Sequence, residues 1–149
     1  MQALLMGGHG DTMVPLPRYT TVGGIPLTEL MDAETIEAIV ERTKKGGGEI
    51  VKLMGTSAWY APGAAAAEMV EAMVKNSGRV LPCAAWLTGQ YGLNDLFIGV
   101  PVRLGHNGIE EIIEVTLDDD EIALMNDSAE HVRKNLANLE RLQQAGQVG

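Results

Sequence analysis

A chain of 149 residues, 46% hydrophobic but with only two Trp, three Tyr and one Phe, has the size of one domain with an aliphatic core. Its net charge of −9 repels phosphate backbones and anionic lipid, which argues against nucleic acid and membrane surfaces as partners. The single cysteine, Cys83, excludes an internal disulfide and fits a reducing, cytoplasmic compartment.

In chain order, Gln2–Met6 reads as a short strand that ends at Gly7-Gly8. Met13–Leu16 reads as an edge or irregular strand, because Pro15 and Pro17 remove ladder donors. Tyr19–Val22 followed by Gly23-Gly24 reads as a strand and a turn. Asp32 can cap a helix whose apolar face carries Ile36, Ile39, Val40 and Thr43. Gly46-Gly47-Gly48 is expected to break or kink that helix before it resumes over Glu49–Met54. Pro62 suits the first turn of a second helix, packed through Ala64–Ala67, Met69, Val70, Met73 and Val74 and ended by Asn76-Ser77-Gly78.

Val80–Leu87, Leu96–Leu104 and Ile109–Leu117 read as strands, the last two joined by the hairpin signal His106-Asn107-Gly108. Cys83 then falls in an apolar strand, as a small buried hydrophobe. Asp118 and Glu121 have capping-box spacing and open a long helix from about residue 118 to 143. Its stripe is Ile122, Met125, Ala129, Val132, Leu136 and Leu139, at steps of three and four. Acids precede bases along it, as the macrodipole favours. Strands, then helices, then strands with a hairpin, then a helix make an α+β fold with a largely antiparallel sheet. No GxGxxG follows an opening strand, so no Rossmann fingerprint is present. No apolar stretch approaches the ~18 residues of a membrane span, and the N-terminus lacks a basic signal region.

The chemistry centres on GGHGDTMVPL, where Gly7, Gly8 and Gly10 surround His9. Neutral imidazole accepts and donates protons near pH 7, which suits reversible proton exchange with an alcohol or ketone. Glycines beside it let a backbone approach a ligand closely. A strand-end histidine bonded to backbone, beside glycines that make a turn, is the alternative reading. Asp11 could orient the imidazole or be a structural turn residue, and Thr12 reads as a turn or capping hydroxyl. Gly55-Thr56-Ser57-Ala58-Trp59-Tyr60 could line a polar pocket before a helix N-terminus, or simply connect two helices. His106 falls in a hairpin turn and His131 on the last helix, so no metal-ligand spacing arises. The acidic run at 118–120 lacks the alternation and central glycine of a calcium loop.

GGHGDTMVPLPRYTTVGGIPL resembles the segment around the active-site histidine of the lactate/malate dehydrogenase family. The resemblance continues through ERTKKGGGEIVKLMGTSAWYAPGAAAAEMVEAM and LTGQYGLNDLFIGVPVRLGHNGIEEIIEVTLDDDE, in the family's order. MVPLPRYTTVGGIPL and GTSAWYAP are more similar to the malate dehydrogenases of lactate-dehydrogenase-like type. What matches is the family's C-terminal, substrate-binding half.

The resemblance implies that His9 takes the hydroxyl proton of malate as hydride passes to NAD. It implies a substrate pocket that includes Gly8, Gly10 and either Ser57 or Ala58. The family's Rossmann domain, its two substrate arginines and the aspartate that pairs with the histidine belong upstream of Met1, and Asp11 does not match that aspartate. NAD is therefore expected in the complete enzyme and not tightly on this chain alone. The implied partners are malate or oxaloacetate, further copies in a dimer or tetramer, and a separate Rossmann domain if the enzyme is split rather than truncated. The alternative function is an assembly module without catalysis.

Overall fold

Nine consecutive register pairs, from Arg79↔Leu104 to Leu87↔Leu96, place two strands side by side, and their alternation decides which face becomes the core. Cys83, Ala85 and Leu87 point one way with Leu96, Ile98, Val100, Val102 and Leu104, and all eight are buried. The computed structural model describes residues 1–146. Its elements are β1 (Leu5–Gly7), β2 (Met13–Pro15), β3 (Thr21–Val22), β4 (Ile25–Pro26), α1 (Ala33–Met54), α2 (Tyr60–Val74), β5 (Arg79–Thr88), β6 (Asn94–Gly105), β7 (Gly108–Ile112) and α3 (Asp119–Gln144). Every strand pairing among the described residues is antiparallel, as the α+β reading expects.

The main sheet runs β2-β1-β6-β5. β6 holds β5 along one edge; along the other it meets β1 at Gly99 and then β7 from Val102 onward. Met6, Val14, Leu16, Ala72, Met125 and Ala129 close over the inward face of β5 and β6. The β3–β4 pair forms its own ribbon around Gly23-Gly24, both at positive φ. The β6–β7 hairpin forms at the Asn-Gly signal, where Gly108 takes the positive φ of +92°.

Three expectations need correction. The Gly46-Gly47-Gly48 run does not break the first helix, because α1 continues through it for 22 residues. Each glycine costs about 1 kcal/mol against alanine, yet unlike proline it removes no backbone hydrogen bond. Caps at both ends hold the helix: Asp32 Oδ1 accepts from the Thr35 N–H at 2.8 Å, and Gly55 ends it at φ +68°. Arg42 also donates to Glu49 across the glycines at 2.9 Å.

The strand expected over Ile109–Leu117 leaves the ladder at Ile112. Beyond it one backbone bond to β6 persists, from the Ile113 N–H to the Pro101 carbonyl at 2.9 Å, and the Tyr91 hydroxyl then takes over, donating to the Ile113 carbonyl at 2.7 Å and accepting from the Val115 N–H at 3.0 Å. The α3 stripe is only partly covered. Met125 and Ala129 are buried, whereas Ile122, Leu136 and Leu139 are exposed.

Much apolar surface remains open. On α1 only Ile36 is buried, while Ile39, Ile50, Val51, Leu53 and Met54 are exposed, as are Val70 and Val74 on α2. No helix among the described residues is long and apolar enough to cross a membrane.

Candidate active site

β1 ends at Gly7, whose register partners are Met13 on β2 and Gly99 on β6. The chain then passes through Gly8 and an extended His9 (φ −106°, ψ 143°) into a 3-10 turn over Gly10–Thr12, and returns as β2. His9 is exposed; Gly8 and Gly10 are half-buried.

The glycines serve separate needs. Gly10 has φ +73° with open space at its missing Cβ, so it answers only a backbone requirement. Gly7 has φ +80° and is also crowded: a Cβ there would lie 2.8 Å from Ser128 Oγ and 2.9 Å from Val14 Cγ2. At Gly8 a Cβ would lie 2.3 Å from Thr12 Oγ1, and at Gly99 2.7 Å from the Gly7 carbonyl oxygen. The space beside the histidine backbone is filled from within, by α3, β6 and the returning turn.

Ser128 makes that packing specific. Its hydroxyl accepts from the Gly8 N–H at 2.7 Å and donates to the Thr12 carbonyl at 2.7 Å. Ser57 is exposed and Ala58 half-buried, in the link between the Gly55 cap of α1 and the start of α2. Among the described residues no hydrogen bond joins either to the His9 loop, although α1 packs on the 3-10 turn. Cys83 is buried, and that burial pushes its thiol up from its ordinary range. His106 lies exposed in the hairpin loop; His131 is half-exposed on α3, 3.8 Å from Asp127.

A second tie fixes the N-terminal end of α3. Arg18 donates from Nε to Glu121 Oε1 at 2.8 Å and from its terminal nitrogen to Oε2 at 2.5 Å. It also donates to the Thr116 carbonyl, to which the Tyr19 hydroxyl donates at 2.8 Å. Glu121 closes the capping box as well, accepting from the Asp118 N–H at 3.0 Å while Asp118 accepts from the Glu121 N–H at 2.9 Å. The Arg18 guanidinium, aided by the Asp118 N–H, holds the Glu121 carboxyl below the usual carboxylate range against the opposing effect of burial.

A depressed folded value gives stability that is fully present above the unfolded value of about 4.3 and is lost as pH falls through the folded one. Urea unfolding from pH 6 to pH 3 should therefore show Glu121→Gln less stable than wild type at pH 6. The gap should close on acidification. Parallel curves for the two proteins would refute this role.

Residues 1–143 match the model of the lactate/malate dehydrogenase alpha/beta C-terminal domain. The chain belongs to that family. It is 68% identical over 149 residues to malate dehydrogenase of Salinibacter ruber, covering all of this chain and 48% of the relative. It is 60% identical over 144 residues to malate dehydrogenase of Cytophaga hutchinsonii, covering 97% of this chain and 46% of that one.

The solved Salinibacter ruber malate dehydrogenase superposes with TM-score 0.95 at 70% identity, over 97% of this chain and 48% of that chain. Lactate dehydrogenase of Eimeria maxima with NADH and oxamate superposes with TM-score 0.91 at 40% identity, over 99% of this chain and 48% of that one. The chain thus spans about half the length of the relatives it matches.

As a lactate/malate dehydrogenase C-terminal domain, the chain carries its histidine on a loop rather than in a dinucleotide cradle. The glycines around His9 lead into a 3-10 turn and an antiparallel strand, not from a parallel strand into a helix N-terminus. This loop is therefore not a dinucleotide-binding turn of the Rossmann kind.

Sequence reasoning missed Ser128 and the Arg18–Glu121 tie. Ser128 stands three residues after Met125, inside the apolar stripe of α3, and a serine at such a position is the one available signal of a buried polar contact.

Proposed function

We propose that this domain is the substrate side of an NAD-dependent malate dehydrogenase that interconverts malate and oxaloacetate, with His9 as its acid–base group. The observation that carries the reading is an exposed imidazole on a loop whose backbone is bonded to a buried serine of α3, in a chain 68% identical to a malate dehydrogenase. When the C2 hydroxyl of malate becomes a carbonyl, the neutral imidazole accepts the hydroxyl proton. In the reverse direction the imidazolium returns it to the oxaloacetate oxygen. Gly8 and Gly10 bound the pocket on the histidine side, and Ser57 or Ala58 bounds it from the link between α1 and α2.

In the complete enzyme NAD is held by a dinucleotide-binding half, and that half supplies the arginines that select a second carboxylate. The exposed apolar residues of α1 and α2 support association with that half and with further copies in a dimer or tetramer. The low cysteine count fits a cytoplasmic setting.

Oxaloacetate-dependent NADH oxidation tests the proposal. The 149-residue chain alone should show negligible turnover, since positioning a second reactant contributes effective molarities of about 10⁵ M or more. Joined to the dinucleotide-binding half of the Salinibacter ruber enzyme, it should turn over. Robust activity of the chain alone, or a folded joined protein that is inert, would overturn it. The same exposed faces favour a second reading, an assembly module without catalysis. A homo-oligomer by light scattering, together with an inert joined protein, would select that reading.

A further inference from the structure

We propose that Ser128 is a positioning residue for His9, holding the loop that carries the imidazole through a two-way hydrogen bond from α3. The proposal deepens the reading of His9 as the proton-transfer group and rests on it. Ser128 is 1% exposed, so its hydroxyl has no competing water. One oxygen accepts from the Gly8 N–H and donates to the Thr12 carbonyl, each at 2.7 Å. These partners flank His9, one immediately before it and the other where the 3-10 turn meets β2.

Few side chains can do this. The contact needs donor and acceptor on a single atom and a short reach, which a serine hydroxyl supplies. Alanine would leave the Gly8 N–H and the Thr12 carbonyl, both on half-buried residues, without that partner, and each such loss is unfavourable.

The fit is built from both sides. Gly7 has no Cβ, and one placed there would stand 2.8 Å from Ser128 Oγ; at Gly8 the distance would be 3.4 Å. The loop therefore omits side-chain atoms where the hydroxyl enters. α3 is in turn fixed at its start by Arg18 on Glu121 and packed through Met125 and Ala129. The His9 backbone is thus referenced to a helix 120 residues further along the chain, while its side chain stays free to meet substrate.

The test compares Ser128→Ala, Ser128→Cys and Leu104→Val, the last being a buried change on β6 away from the loop. The readouts on this chain are Gly8 amide hydrogen exchange and the His9 imidazole resonances. Ser128→Ala should speed Gly8 exchange at least tenfold and shift the His9 signals, with β5 and β6 amides retaining their protection. Leu104→Val should lower the unfolding midpoint without moving the His9 signals.

Unchanged Gly8 and His9 signals in Ser128→Ala would overturn the proposal. So would equal shifts in Leu104→Val, which would mark a general loosening. If Ser128→Ala does not fold, Ser128→Cys decides: the weaker thiol should give a smaller shift of the same kind. No shift, or failure of that near-isosteric variant to fold, overturns the local role. In the joined enzyme, Ser128→Ala should lower kcat at least tenfold with KM within about threefold, and an unchanged kcat would count against positioning. If His9→Asn leaves turnover intact there, the His9 reading fails separately, and the loop measurements still report on the clamp.

Discussion

His9→Asn should lower the kcat of the joined enzyme by roughly 10²–10⁴, the usual contribution of a positioned general acid–base group. Asparagine keeps a polar side chain of similar reach but cannot exchange a proton near neutral pH. The substitution should be nearly silent for folding, because the His9 side chain is exposed and its backbone lies in the extended region open to any residue. Its unfolding free energy should stay within about 0.5 kcal/mol of wild type, as for a surface change. A large loss of kcat with unchanged stability and a KM within a few-fold separates proton transfer from binding. A folded His9→Asn enzyme with kcat within about threefold of wild type would remove His9 from the chemistry, because acid–base roles are worth far more than that.

The elements that were legible in the sequence are those stabilised by neighbours close in the chain. The Asp118/Glu121 capping box lies within one turn, and it forms as spaced, with α3 starting at Asp119. The His106-Asn107-Gly108 hairpin is also local, and it closes β6 onto β7. The glycine run in α1 misled because intrinsic propensity is a small, distributed cost, whereas caps at Asp32 and Gly55 act at the ends where helices are decided. The strand after β7 misled for another reason. A β-rich pattern runs on past Ile112, but the chain leaves the ladder and bonds to Tyr91, which no periodicity announces.

The candidate site divides along the same line. His9 among glycines stands out in the sequence, yet the reason for two of those glycines does not. Glycines beside an imidazole read as room for a ligand. At Gly7 and Gly8 the room is occupied by Ser128, Val14 and Thr12, and only Gly10 is open. The partner that explains Gly7 comes from the far end of the chain, at a position whose spacing belongs to an apolar stripe. Arg18 and Glu121 are likewise 103 residues apart; Glu121 reads as a local cap, and nothing in the sequence pairs it with Arg18. Contacts of this separation are created by the fold, and a single sequence carries them only as mild anomalies: a serine in a core stripe, a glycine where a strand should continue.

Gly7→Ala should destabilise the chain by about 2–5 kcal/mol, whereas Gly10→Ala, four positions before Val14 in the same hairpin, should cost about 1–2 kcal/mol. Both glycines lie at similar positive φ, +80° and +73°, so an L side chain suffers comparable backbone strain at either. They differ in what surrounds the missing Cβ. At Gly10 nothing lies within 4 Å; at Gly7 Ser128 Oγ, Val14 Cγ2 and the Thr12 carbonyl oxygen stand at 2.8, 2.9 and 3.0 Å. Two of those atoms belong to β2 or its approach, so relief requires the β1–β2 pair to separate or α3 to retreat. Overpacking of that kind costs about 1–3 kcal/mol beyond the strain. Urea unfolding at a common m-value measures the difference. Combining Gly7→Ala with Ser128→Ala should recover part of the loss, since it removes the nearest obstructing atom, and the double-mutant cycle should therefore show favourable coupling. Equal losses at Gly7 and Gly10 would mean that backbone strain alone governs both positions, and that α3 does not press on the loop that carries His9.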